Sequence, residues 1–279
     1  MMHLQKLPVV ISTVYRPRYP PNHGSTLANN IHQLLMQPGQ QNGNGLHQVL
    51  AQPIEAVRTA LSASASLTSV NPTVEASIDR CLDAWLESAP MSERASRTIV
   101  TERILKAYCD QATSLNLDNL ALRSLPDCLK SLPALKTLQI RANFLTALPD
   151  LPANLIALKA GANQLTSLPE LPQSLRELSI YRNCLLRLPI LPHNLVCLHA
   201  YENRLFELPE LPPSLERLVV SGNALNQCPP IHKALTLVNF SGNFLKNLPH
   251  QLLLQVCGLS NSVEVLRQYQ RQISIQSCG

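Results

Sequence analysis

Cys81-Leu82-Asp83 sets a thiol two residues from a carboxylate, an arrangement that could support nucleophilic catalysis if the thiol ionised beside a base. Such a thiol has to be exposed. The surrounding spacing argues otherwise, because Ile78, Cys81, Leu82, Trp85 and Leu86 recur at helical intervals and place Cys81 in an apolar stripe. His193, His199, His232 and His250 lack the spacing of metal ligands. Cys81, Cys109, Cys128, Cys184, Cys197, Cys228, Cys257 and Cys278 are dispersed without a C-x-x-C pair, which argues against zinc and against a disulfide scaffold. No H-E-x-x-H, G-x-S-x-G or phosphate-cradling loop occurs. The residue types therefore point to no catalytic group, no metal and no cofactor, and the eight cysteines are expected to be free thiols.

The bulk composition removes further classes. The net charge of +5 is scattered rather than gathered into a basic stripe, so nucleic-acid binding is not expected. No apolar stretch reaches the roughly 18 residues that a membrane span requires. Leu4 to Ile11 is the nearest approach to a secretory leader, and Lys6 and Pro8 interrupt it. Aromatic residues make up only 4% of the chain, so leucine and other aliphatics must fill the core.

The elements that position any site are written in a repeat. Asn143, Asn163, Asn183, Asn203, Asn223 and Asn243 recur at one interval, each followed two residues later by a leucine, from Leu145 to Leu245. Leu135, Leu155, Leu175, Leu195, Leu215 and Leu235 keep the same step upstream. An earlier unit, Ser114 to Leu122, is displaced by a longer interval and carries Leu120 where the others carry Asn. In Leu155-x-x-Leu158-x-Ala160-x-x-Asn163, alternate positions point inward from a short strand, and the Asn side chain can reach backbone groups of neighbouring turns. The remainder, as in Leu168-Pro169-Glu170-Leu171-Pro172, has prolines too close for a helix interior, so the convex side is expected to be extended. A single unit cannot bury its apolar edge, whereas a stack can.

Helical spacing from Val74 to Glu87, a break at Pro90 and a second start at Ser92 and Glu93 predict two helices, the second running to Cys109 with Val100, Ile104, Leu105 and Tyr108 inward. The expected organisation is a disordered segment over 1–72, a helical cap over 73–112, a solenoid over 113–250 and a C-terminal cap over 251–279. In the last of these, Asn261 and Glu264 resemble a capping box before a short helix. Residues 1–72 are rich in Pro, Asn, Gln, Ser and Ala, which opposes stable structure, although Leu27 to Leu35 and Ile54 to Leu61 have spacing for short helices.

The unit L-x-x-L-x-[IAV]-x-x-N-x-L-x-x-L-P-x-L-P resembles the bacterial class of leucine-rich repeats. The preceding Cys81-Leu82-Asp83-Ala84-Trp85-Leu86-Glu87-Ser88-Ala89-Pro90 is similar to the helical cap of IpaH-type effectors. The fold class is therefore expected to be α+β, a leucine-rich-repeat solenoid of short parallel strands behind an N-terminal helical cap. The resemblance implies a type III secreted effector, exported by the segment 1–72, that acts in the host cell cytoplasm or nucleus by binding host protein. In IpaH-type members a separate C-terminal ubiquitin-ligase domain follows the repeats. Here the chain closes at Gly279, so it is expected to resemble the ligase-free YopM-like members or, alternatively, the substrate-recognition half of an IpaH-type ligase.

Function is expected at the variable strand positions, which project from the concave face while their neighbours fill the core. In chain order these include Gln139, Arg141, Ala142, Lys159, Gly161, Glu177 and Ser179, then Tyr181, Arg182, Cys197, His199, Tyr201 and Glu202, and finally Arg217, Val219, Ser221, Asn239 and Ser241. The candidate partner-binding set is Arg141, Lys159, Tyr181, Arg182, His199, Tyr201, Glu202 and Arg217. Tyr and Arg are favoured among interface hot spots, and Tyr181, Arg182, His199 and Tyr201 cluster mid-row. Charges of both signs alternate there, so a strongly acidic target is not expected. Oligomeric state is not written in the sequence.

Overall fold

In the computed structural model, residues 72–230 and 232–245 are described. The expectations for 1–71, for the last Leu-Pro pair at Leu248 and for the C-terminal helix after Asn261 lie outside that range.

The two helices expected upstream of the repeats are present: α1 spans Pro72–Glu87 and α2 spans Arg94–Cys109. Ile78 and Leu82 of α1 are fully buried, as are Val100, Ile104 and Leu105 of α2. The start of α2 falls where it is expected. Glu93 precedes the first turn, and its side chain turns inward to Arg97 at 3.1 Å and to Arg123 at 3.3 Å rather than capping the helix. Arg97 is buried in turn. It donates to the Trp85 carbonyl, to Ser88 Oγ at 3.1 Å and to Ser124 Oγ at 3.2 Å, and its guanidinium lies 4.6 Å from the Trp85 ring. Trp85 Nε1 donates to the same Ser124 hydroxyl at 3.1 Å. This polar knot fastens both helices to the first repeat.

Seven three-residue strands follow: β1 (Ser114–Asn116), β2 (Thr137–Gln139), β3 (Ala157–Lys159), β4 (Glu177–Ser179), β5 (Cys197–His199), β6 (Arg217–Val219) and β7 (Leu237–Asn239). They form one parallel sheet in chain order. Leu138 faces Leu158, Leu158 faces Leu178 and Leu178 faces Leu198, so the register advances by one repeat per strand without a slip. Chain-order neighbours in a parallel sheet need a crossover each time, and the extended convex segments supply it. Leu175 N–H closes a turn on the Pro172 carbonyl at 3.0 Å, and Leu155, Leu195 and Leu215 repeat this on Pro152, Pro192 and Pro212.

The longer first unit departs from the extended convex side. Ser114 pairs with Thr137, and the additional residues of this unit are taken up by a 3-10 helix at Asp127–Ser131. No Leu-Pro-x-Leu-Pro segment occupies this stretch, so nothing prevents a helical turn there.

The core is a set of leucine columns. Leu135 to Leu235 and Leu145 to Leu225 are buried at each repeat, each side chain contributing on the order of 1.5–3 kcal/mol. At the inward position beside the asparagine, Ile140, Ala160, Ile180 and Ala200 alternate large and small, so adjacent repeats interdigitate.

Candidate protein-binding face

The asparagines explain how three-residue strands are held so regularly. Asn183 Oδ1 accepts from Leu165 N–H at 3.0 Å, while its Nδ2 donates to the carbonyls of Ala160 at 3.1 Å and Ile180 at 2.9 Å. Asn163, Asn203 and Asn223 repeat the pattern. Leu120, which replaces the first asparagine, leaves no orphan, because Asn143 Oδ1 accepts from both Leu120 and Leu122 N–H. To bring each asparagine inward, the residue before it adopts a left-handed backbone. Ala142, Ala162, Arg182 and Glu202 have φ of 52–56°, and Gly222 and Gly242 have 64° and 68°. A side chain in that region is costly, by roughly 1–2 kcal/mol per residue. Glycine removes that cost only in the last two of these repeats.

On this frame the side chains at the strand ends line up by strand spacing. Tyr181 and Tyr201 stack with ring centroids 4.8 Å apart and planes 3° from parallel. That separation matches the roughly 4.8 Å between neighbouring strands, so in-register rings are stacked by the sheet itself. Gly161 occupies the preceding strand's equivalent position, and a methyl group there would overlap the Tyr181 ring. The missing side chain is what lets Tyr181 lie down against the backbone.

Beside the stack, Arg182 Nε donates to Glu202 Oε2 at 2.7 Å, and this hydrogen bond holds the guanidinium above its ordinary pKa. One step inward, His199 Nε2 lies 3.4 Å from Cys197 Sγ. Burial, reinforced by Arg217, lowers the His199 pKa, and Glu177 opposes that shift. Burial raises the Cys197 thiol, with Arg217 pulling the other way. A neutral imidazole and a neutral thiol are the states this patch presents near pH 7.

The candidate residues do not all share one cluster. Tyr181, Arg182, His199, Tyr201 and Glu202 fall on β4, β5 and the turns that end them, with exposed Arg217 on the adjacent β6. Lys159 is drawn to Glu177 at 3.7 Å. Arg141 lies at the far end of the row, where Asp118 receives its backbone N–H at 2.6 Å and its guanidinium at 2.8 Å. From sequence, Gly161 has no role beyond that of a variable position. Its signal was available as a glycine one period before a tyrosine.

The other chemical candidates have structural roles. Cys81 is half-buried and adjoins Cys128, whose thiol is raised by burial and by that neighbour. Cys228, in the place of a core leucine, is pushed up to about 11 by burial. Among the described residues no group of three or more His, Cys, Asp or Glu side chains could hold a metal, and no helix is long and apolar enough to cross a membrane.

No protein-family model matches the chain. No curated protein matches it by sequence either. Solved structures do. YopM from Yersinia enterocolitica WA-314 is 35% identical over 62% of this chain, with a TM-score of 0.60, and the match spans 39% of that protein. The leucine-rich-repeat domain of a Shigella effector is 32% identical over 64% of this chain, with a TM-score of 0.59, and 79% of that domain is covered.

Proposed function

Because the chain belongs to the bacterial leucine-rich-repeat effector family, we propose that it is a secreted effector that binds a host protein through its concave face. Tyr181 and Tyr201 form the centre of the contact. The observation that carries this reading is their stack: two half-buried rings, supported from behind by Gly161 and flanked by the Arg182–Glu202 pair. A partner meets a surface that is already ordered, so little side-chain entropy is lost on docking. The hydroxyls and the neutral His199 supply hydrogen bonds at the edge of an apolar platform, the combination that favours tyrosine at hot spots. Export by a type III apparatus and action in the host cytoplasm or nucleus follow from the same reading, with residues 1–72 as the export segment. The partner is a protein, not a nucleic acid, and no cofactor takes part.

The test is capture of a host protein from cell lysate by the full chain and by a Tyr181→Ala, Tyr201→Ala variant. We expect a specific protein that is retained by the native chain and lost with the variant, whose thermal unfolding is nearly unchanged. Equal retention by both would place the contact elsewhere.

A second reading has its own support. The Shigella structure is that of a domain, so this chain can equally be the recognition part of a larger protein, including an IpaH-type ubiquitin ligase. Reading the coding DNA beyond the codon for Gly279 separates the two.

A further inference from the structure

The concave face looks charge-balanced in sequence, but its acids are used internally. Asp118 holds Arg141, Glu177 holds Lys159 and Glu202 holds Arg182. Two further cations lie outside that row. Lys136 and Arg176, each the residue before a strand (β2 and β4), are exposed and make no ion pair among the described residues. They flank a groove of about 370 Å³ along the rim where the chain enters the sheet. Ile156, from the repeat between them, lies in the same groove with Asn154, Ser174 and Asn194.

The backbone under this rim is fixed. The Lys136 carbonyl accepts from Ile156 N–H at 2.7 Å and Ala157 N–H at 2.9 Å, and the Ile156 carbonyl accepts from Arg176 N–H at 2.8 Å and Glu177 N–H at 3.0 Å. Asn154 and Asn194 donate one amide hydrogen to the turns before them, at Pro133 and Gln173. The second hydrogen on each amide remains for a ligand. Glu216, the acid on the same rim, is a further two strands beyond Arg176 and bounds the cationic stretch.

We propose that this rim groove is a second docking site, for an acidic extended segment of the partner protein. Two strand spacings set Lys136 and Arg176 about 10 Å apart at the backbone. A polyproline-like segment crossing the strands returns to the same face every three residues, about 9.3 Å. A Glu-x-x-Glu segment thus meets both cations and lays its backbone across Ile156 between them. The site rests on the reading of the chain as a protein-binding solenoid, but not on the tyrosine stack.

Fluorescence anisotropy of the full chain with a fluorescein-labelled peptide Pro-Glu-Leu-Pro-Glu-Pro tests it, against the same peptide with Gln for Glu. At low salt the Glu peptide should bind more tightly than the Gln peptide, by roughly 2- to 30-fold, and the difference should shrink as salt is added. Lys136→Glu with Arg176→Glu should remove the preference, Lys136→Gln with Arg176→Gln should reduce it, and circular dichroism should show both variants folded. Tyr181→Ala with Tyr201→Ala should leave peptide binding unchanged. Equal affinity for the two peptides, or a preference that survives charge reversal, would overturn the proposal. Loss of peptide binding on removing the tyrosines would also overturn it, because the site would then be the stack. Host-protein capture lost with the tyrosines alone keeps the concave-face reading standing whichever way the peptides behave.

Discussion

Removing the amide of Asn183 isolates the force that stacks the repeats. In Asn183→Ala, four hydrogen bonds are lost: the one accepted from Leu165 N–H and those donated to Ala160, Ile180 and Tyr181. The carbonyls keep other donors. Asn163 reaches Ala160 at 3.1 Å, Asn203 reaches Ile180 at 3.0 Å and Ala162 N–H reaches Tyr181 at 2.8 Å. Leu165 N–H has no such reserve, and Leu165 is fully buried. The cost is therefore dominated by one orphaned buried donor, about 2 kcal/mol. In a domain of this size that lowers the midpoint by roughly 4–8 °C. Urea unfolding followed both by far-ultraviolet circular dichroism and by Trp85 fluorescence measures it, because Trp85 is the only tryptophan and sits in the helical cap. Both probes should shift together if the solenoid unfolds as one unit with its cap. Asn183→Asp sharpens the test. It keeps an acceptor for Leu165 but turns the second oxygen toward the Ala160 and Ile180 carbonyls, so the folded carboxyl titrates above its unfolded value of about 3.9. Stability is then retained below that value and lost as pH rises through the folded pKa. A loss under about 0.5 kcal/mol for Asn183→Ala, or an Asp variant as stable as the native chain at pH 7, would refute the ladder as the organising force.

The remaining predictions concern the platform and the cap. Gly161→Ala does not strain the backbone but pushes the Tyr181 ring off its seat, so the near-ultraviolet tyrosine signal should change while stability moves by no more than about 1 kcal/mol. An unaltered signal would mean that the rings do not depend on that gap. Arg97→Ala leaves the buried Glu93 carboxylate with only Arg123 and removes the links to Trp85 and Ser124. Stability should fall by about 3 kcal/mol with an early change in Trp85 fluorescence, and an unchanged urea midpoint would show that the knot does not anchor the cap.

Much of the architecture was legible because each repeat solves the same local problem. Strand alternation, the leucine columns and the asparagine positions follow from one unit and recur with it, so the parallel register could be read directly. The departures came where a residue's partner lies in another element. Glu93 stands at the helix start that the sequence implies, yet Arg97 and Arg123 draw its side chain inward, away from a capping position. The 3-10 helix of the first repeat belongs to a stretch that lacks the paired prolines forbidding it elsewhere.

The period, the buried positions and the row of side chains available to a partner can be read from the residues alone, because they depend on local geometry repeated down the chain. Which side chains stay free is set by the packing of one repeat on the next. Whether Arg182 meets Glu202, whether Tyr181 can lie against residue 161, and whether Lys136 and Arg176 find an acid depend on contacts across strands, where one strand spacing separates a hydrogen bond from none. The backbone hand before each asparagine was decided there too: Arg182 and Glu202 take a conformation that their residue types disfavour, because the buried amide beyond them has to reach the neighbouring repeat.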